Sequence, residues 1–149
     1  MDFKIDKMSL EDLISIKDIL TTEFDDFWNY EILKSELEST NSYFFVAKNI
    51  SGEIVGFAGI KIILDEADIM NIVVKKDFRN IGIGALLLDY LISYSKSINL
   101  KTITLEVNEI NIPAIKLYEK FDFEKLGIRK KYYNGENDAI IMSKKIKLI

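Results

Sequence analysis

Glu106 and Tyr118 are of types that could do acid–base work, although alone a strand-end glutamate is more often a solvated charge and a tyrosine at helical spacing more often core. Glu106 lies near the end of the β-rich run Thr102-Ile103-Thr104-Leu105-Glu106-Val107, where clefts open in α/β sheets. Tyr118 sits in the helical stretch that follows. A strand-end carboxylate can take a proton, and a phenol, with an ordinary pKa of about 10, can give one at neutral pH. The chain contains no histidine and no cysteine. Serine–histidine and cysteine–histidine nucleophiles, disulfides and the two commonest zinc ligands are therefore excluded, and no metal is expected. Any general base must be Asp, Glu, Lys, Tyr, a terminus or water.

A second stretch suits the binding of an anion. In Ile72-Val73-Val74-Lys75-Lys76-Asp77-Phe78-Arg79-Asn80-Ile81-Gly82-Ile83-Gly84-Ala85 a strand ends, a basic loop turns, two glycines follow and a helix begins. Glycines let a backbone approach a ligand closely, and a helix N-terminus offers unpaired N–H groups with partial positive charge, a combination that suits a pyrophosphate. Lys75, Lys76 and Arg79 add cationic charge. Alone, a Gly-x-Gly between strand and helix more often only makes the turn. A Rossmann loop lacks its third glycine here, and a phosphate-binding P-loop lacks Gly-Lys-Ser/Thr.

The elements that must position these groups can be read from periodicity. Phe3–Asp6 forms a short opening strand. Ser9 caps a helix carrying Leu10, Leu13, Ile16, Ile19 and Leu20 at helical spacing, and a second helix spans Tyr30–Leu37. Phe24 to Trp28, aromatic and acidic, has no regular pattern. Tyr43–Ala47, Ile54–Ile60 and Ala67–Val74 form an antiparallel meander with a turn at Asn49 to Gly52. Helical spacing returns after Gly84 with Leu87, Leu88, Leu91 and Ile92. Asn111 caps the next helix, and Pro113 suits its first turn. Phe121–Phe123 and Ala139–Met142 read as final strands around an Asn134-Gly135 turn. The expected order is β-α-α-β-β-β-α-β-α-β-β, an α/β chain with a mixed, mostly antiparallel sheet flanked by helices. The 149 residues are the size of one domain, expected to span 1–149. Leu13, Ile16, Leu87 and Leu91 are core positions.

A net charge of −4 argues against bulk binding to nucleic acid. No apolar run reaches the roughly 18 residues of a membrane span, and the N-terminus lacks the layout of a secretory signal. The chain reads as cytoplasmic.

Arg79-x-x-Gly82-x-Gly84 resembles the Arg/Gln-x-x-Gly-x-Gly/Ala signature of the GNAT acyltransferase superfamily, and the element order matches that fold over nearly the whole chain. The stretch from Leu105 to Phe123 is similar to the RimI-type motif Leu-Glu-Val-x-x-x-Asn-x-x-Ala-x-x-Leu-Tyr-x-x-x-x-Phe. The segments Gly127–Tyr133 and Asp138–Met142 also look like that branch. By the resemblance, Ile72, Val73 and Val74 would pair with the pantetheine arm of acetyl-CoA, and Arg79, Asn80, Ile81, Gly82, Ile83, Gly84 and Ala85 would form the pyrophosphate loop. Asn111 would contact the coenzyme, Glu106 would be the base and Tyr118 the acid. Backbone N–H groups at the end of the third meander strand would stabilise the oxyanion. The family usually has glycine where Asp122 stands; aspartate tolerates a left-handed turn better than most residues. The implied acceptor is the N-terminal alanine of a small-subunit ribosomal protein, with Arg129–Tyr133 helping to shape the peptide groove. A lysine, polyamine or other small amine is a same-class alternative, for which Phe24 to Trp28 would be the variable acceptor loop. A non-catalytic module binding acyl-CoA is the alternative of another class. An α-amine, with pKa about 7.7–8.0, is partly neutral near pH 7, whereas a lysine near 10.4 needs far more help, so a carboxylate base favours the N-terminal acceptor.

Overall fold

The computed structural model describes residues 2–25, 28–133 and 135–146. The seven strands are β1 (Lys4–Lys7), β2 (Ser42–Lys48), β3 (Ile54–Ile63), β4 (Glu66–Val74), β5 (Thr102–Asn108), β6 (Glu124–Tyr133) and β7 (Asn137–Lys145). They form one sheet in the order β1-β2-β3-β4-β5-β7-β6. Every neighbouring pair is antiparallel except β4 with β5. The helices are α1 (Leu10–Ser15), α2 (Tyr30–Leu37), α3 (Ile83–Ser97) and α4 (Ile112–Lys120), so the element order and sheet type expected from periodicity are those observed. Among the described residues no helix is long and apolar enough to cross a membrane.

The sheet separates two cores. On one face α3 buries Leu87, Leu88 and Leu91 against Ile60, Ile103 and Leu105. On the other, Leu13, Ile16, Leu20, Phe24 and Leu33 of the N-terminal helical segments pack over Phe44, Phe57 and Val73.

Two local readings need correction. The first helix does not run unbroken to Leu20. It stops at Ile16, continues as a 3₁₀ turn at Lys17–Ile19 and then as a π turn at Leu20–Phe24, closed by the Asp25 N–H on the Leu20 carbonyl at 3.0 Å. The wider turn lets Leu20 and Phe24 both enter the core, at 1% and 2% exposure. The other correction concerns Phe121–Phe123, which is the end of α4 and not a strand. The Phe123 N–H reaches the Tyr118 carbonyl at 3.0 Å, and the Asp122 N–H reaches the Glu119 carbonyl at 2.9 Å, with Asp122 left-handed at φ +67°. This is a Schellman cap, and strand β6 begins only at Glu124. Of the expected final turn, Gly135 is left-handed at φ +69°, while Asn134 lies outside the described residues.

Two features of the sheet make a cleft. Parallel β4 and β5 pair over three positions only, Glu66↔Thr102, Ala67↔Ile103 and Asp68↔Thr104, and then diverge. Just beyond, β4 carries a bulge. Gly59 faces Asn71 and Ile60 faces Ile69, so Met70 is an extra residue. The bulge shifts the alternation of the strand. Ala67 and Ile69 before it, and Ile72 and Val74 after it, pack on the α3 side, which leaves Asn71 and Val73 on the α1–α2 side. Asn71 stands opposite Gly59, where the Phe44 ring lies 2.3 Å from where a Cβ would be and so requires glycine.

Candidate active site

The cleft holds two adjoining cavities. The larger, about 880 Å³, lies at the end of β4, the loop after it and the first turn of α3. Ile72, Val73, Val74, Arg79, Asn80, Gly82, Ile83, Gly84, Ala85 and Asn111, all named by the resemblance, line it. Ile81 does not; its side chain points outward, half exposed. Asn80 and Gly82 are left-handed, at φ +66° and +95°. Gly82 is the N-cap of α3, and a Cβ placed there would meet nothing within 4 Å. An open cradle at the start of a fifteen-residue helix fits the pyrophosphate of acetyl-CoA.

The cations near this loop divide. Lys76 and Arg79 line the large cavity. The Arg79 guanidinium donates to the Val74 carbonyl at 2.9 Å and to the Phe24 carbonyl at 2.7 Å, which ties the end of β4 to the π turn. Lys75 faces elsewhere. Its ammonium is 2.7 Å from Glu53 and 3.6 Å from Glu23, and Glu53 above all holds it above the ordinary lysine range. Its charge is already matched by carboxylates away from the loop, contrary to the expectation that all three cations serve it.

The smaller cavity, about 440 Å³, shares Asp25, Ile72, Val73 and Asn111 with the larger one. Glu106 and Tyr118 both line it. Strand β5 alternates as expected: Ile103, Leu105 and Val107 are buried, while Thr104, Glu106 and Asn108 face the other way. Glu106 Oε1 is 2.8 Å from Arg129 Nη2, and the guanidinium lies 4.6 Å from the centre of the Tyr132 ring. Burial, with Tyr133 adding to it, pushes the Tyr118 phenol up to about 12. The Tyr118 ring is 5.9 Å from that of Phe123, the buried residue that completes the α4 cap. Asn111 caps α4, its side chain accepting the Ala114 N–H at 3.3 Å, and it also borders both cavities.

The far wall of the small cavity comes from β6, through a second bulge. Arg129 pairs with Ala139 and Tyr133 with Asn137, so residues 130–132 face Asp138 alone. Lys131 is left-handed at φ +48°, and its N–H donates to Asp138 Oδ1 at 2.8 Å. Asp138 is held by Glu109: the Asp138 N–H donates to Glu109 Oε2 at 2.6 Å, and the Glu109 N–H to the Asp138 carbonyl at 3.0 Å. Arg129, Tyr132 and Tyr133 thereby reach the cavity. From the expected acceptor loop, Asp25 and Trp28 line the cavity and Phe24 is core; Asp26 and Phe27 lie outside the described residues.

Among the cavity residues that sequence reasoning missed are Asp68 and Asn71. Burial, with the Glu106 charge adding to it, holds the Asp68 carboxyl above the usual aspartate range. Polar residues inside a strand otherwise rich in Ile and Val were the available signal, because Asp and Asn are depleted from strands. Among the described residues no group of His, Cys, Asp and Glu is placed to hold a metal ion.

The acetyltransferase (GNAT) family profile matches residues 13–123. A Bacillus subtilis (strain 168) protein provisionally named ribosomal protein bS18-alanine N-acetyltransferase is 36% identical over 138 residues, covering 91% of this chain and 90% of that protein. The Escherichia coli (strain K12) ribosomal protein bS18-alanine N-acetyltransferase is 40% identical over 96 residues, 62% of this chain and 65% of that relative. The crystal structure of the ribosomal-protein-S18-alanine N-acetyltransferase from Escherichia coli is similar at a TM-score of 0.90 and 30% identity, covering 99% of this chain and 96% of that one. A chain in which β4 diverges from β5 beside an open glycine cradle, and whose residues 13–123 match this profile, thus belongs to the acetyltransferase (GNAT) family and is an acetyl-CoA-dependent N-acetyltransferase.

Proposed function

We propose that this enzyme acetylates the N-terminal α-amine of a protein, the alanine of ribosomal protein bS18 or its counterpart, with Glu106 as base and Tyr118 as acid. One observation carries the reading. Glu106 and Tyr118, from different elements, line one cavity that adjoins the coenzyme cavity at Ile72, Val73 and Asn111. The names of the Bacillus subtilis and Escherichia coli relatives supply the acceptor.

In the proposed reaction the neutral amine attacks the thioester carbonyl, and a C–N bond forms as the carbonyl electrons move to oxygen. Glu106 takes the proton that the nitrogen sheds. The tetrahedral intermediate collapses, the C–S bond breaks, and Tyr118 gives its proton to the departing sulfur. An α-amine near pKa 8 reaches the neutral form with little help. A phenol held near 12 keeps its proton until the thiolate needs it. Beyond Asp68 the edge of β4 has no ladder partner on β5, so its backbone groups border the space where the oxyanion develops.

The test is release of coenzyme A thiol from acetyl-CoA with an alanine-initiated bS18 peptide, beside the same peptide blocked at its N-terminus. Release with the free peptide alone is expected. Equal release with the blocked peptide would move the acceptor to a lysine, and release with neither would remove bS18 as the acceptor.

A further inference from the structure

Asn71 is buried, at 8% exposure, in the wall of the smaller cavity, and among the described residues neither Nδ2 nor Oδ1 finds a hydrogen-bond partner. A buried side-chain amide left unpaired on both atoms is costly. Asn71 lines the smaller cavity and not the coenzyme cavity. The Met70 bulge puts it on the face that also carries Val73, whereas an unbulged strand would turn it toward α3. Behind it the Phe44 ring fills the space over Gly59 and offers nothing polar.

The protonated amines of a polyamine only donate, so they could engage the carbonyl end of the amide and would leave Nδ2 unpaired. A peptide unit both donates and accepts, so it can satisfy both ends at once. We infer that Asn71 is the acceptor-positioning residue of this enzyme, its side-chain amide pairing with the first peptide unit of the acceptor polypeptide. The inference rests on the proposal that the acceptor is a protein N-terminus, and deepens it. Selection of a peptide over a polyamine then lies partly in β4, where the site would be left unpaired by an acceptor lacking the peptide group.

The experiment is a two-by-two comparison. Wild type and Asn71→Leu are each assayed with the alanine-initiated bS18 peptide and with its ester analogue, in which the N–H between residues one and two is replaced by oxygen. For the amide peptide, Asn71→Leu is expected to lower kcat/KM by about tenfold to a hundredfold, mainly through KM. The ester should cost wild type about tenfold and the variant little. The Kd for acetyl-CoA should not change. The free variant should melt no lower than wild type, because an unpaired buried amide has been replaced by an apolar group of similar size. A structural asparagine would lower the melting temperature instead. Equal losses on the ester in both proteins, or an unchanged KM in the variant, would overturn the inference while leaving the protein acceptor in place. If Asn71→Leu fails to fold, an ester that costs wild type nothing overturns it too. Wild type inactive on every free N-terminal peptide would overturn the acceptor reading itself, and this inference with it.

Discussion

Arg129 and Glu106 are ion-paired across the cleft, Nη2 to Oε1 at 2.8 Å, with Arg129 carried on the edge strand β6 and Glu106 on β5. The proposed base is therefore held by a cation from the acceptor side before any substrate arrives. Arg129 is half exposed, and the exposed half of the pair is the side free to turn away when an amine approaches. The pair orients Glu106 toward the space bordered by Tyr118.

Glu106→Gln should lower kcat by about a hundredfold or more while the Kd for acetyl-CoA stays unchanged. Arg129→Gln should cost less than Glu106→Gln and likewise leave the coenzyme affinity alone. Steady-state kinetics beside calorimetric titration would check both; a fully active Glu106→Gln enzyme would remove Glu106 as the base.

Tyr118→Phe should slow turnover, with a second signature in stability. The unfolded phenol titrates near 10 and the folded one at about 12. Below pH 10 both states hold the proton and the contribution is complete. Between about 10 and 12 only the unfolded chain releases it, so stability falls as pH rises through that window. Tyr133 and Tyr94 shift in the same direction, so the comparison must be with the variant. The wild-type melting temperature should fall more steeply than that of Tyr118→Phe across this range. Parallel curves would show that the phenol is not displaced.

Gly82→Val should raise the Kd for acetyl-CoA by about tenfold or more. A β-branched residue at φ +95° is strained by about 1–2 kcal/mol, and its side chain would project into the open cradle. A Cβ at this position meets nothing within 4 Å, so no packing is displaced and the fold should survive. Unchanged affinity would refute the assignment of the phosphate loop.

Asp138→Ala should raise the KM for the acceptor peptide without altering acetyl-CoA affinity, because Lys131 at φ +48° loses the carboxylate that holds its N–H. Asp138→Asn keeps an oxygen in place and should restore much of the loss. A KM that stays at the wild-type value in Asp138→Ala would separate the β6 bulge from acceptor binding.

Much of this architecture was legible in the chain because its determinants are local. Gly82 and Gly84 after a strand, Asn111 before Pro113, and the alternation of Ile103, Leu105 and Val107 each declare themselves within a few residues. The unforeseen parts depend on distant partners. Lys75 looked like part of a phosphate loop until Glu53 and Glu23 were seen beside it. Phe121–Phe123 has the composition of a strand, yet its N–H groups turn back onto α4. The bulges at Met70 and at residues 130–132 exist only as mismatches with a neighbouring strand, so the polarity of Asn71 was legible locally but the face it takes was not.

Met70 occupies one codon. Its deletion would leave the glycine loop, Glu106 and Tyr118 intact in sequence and would straighten β4, yet keep Asn71 on the cavity face, because Ile69 and Ile72 would still turn toward α3 with one residue between them. Such a gene would still carry the family's phosphate-loop signature and would still set Asn71 opposite Gly59. In a lineage of duplicated copies, loss of this codon would therefore reshape the cavity wall without exchanging the side chains that line it.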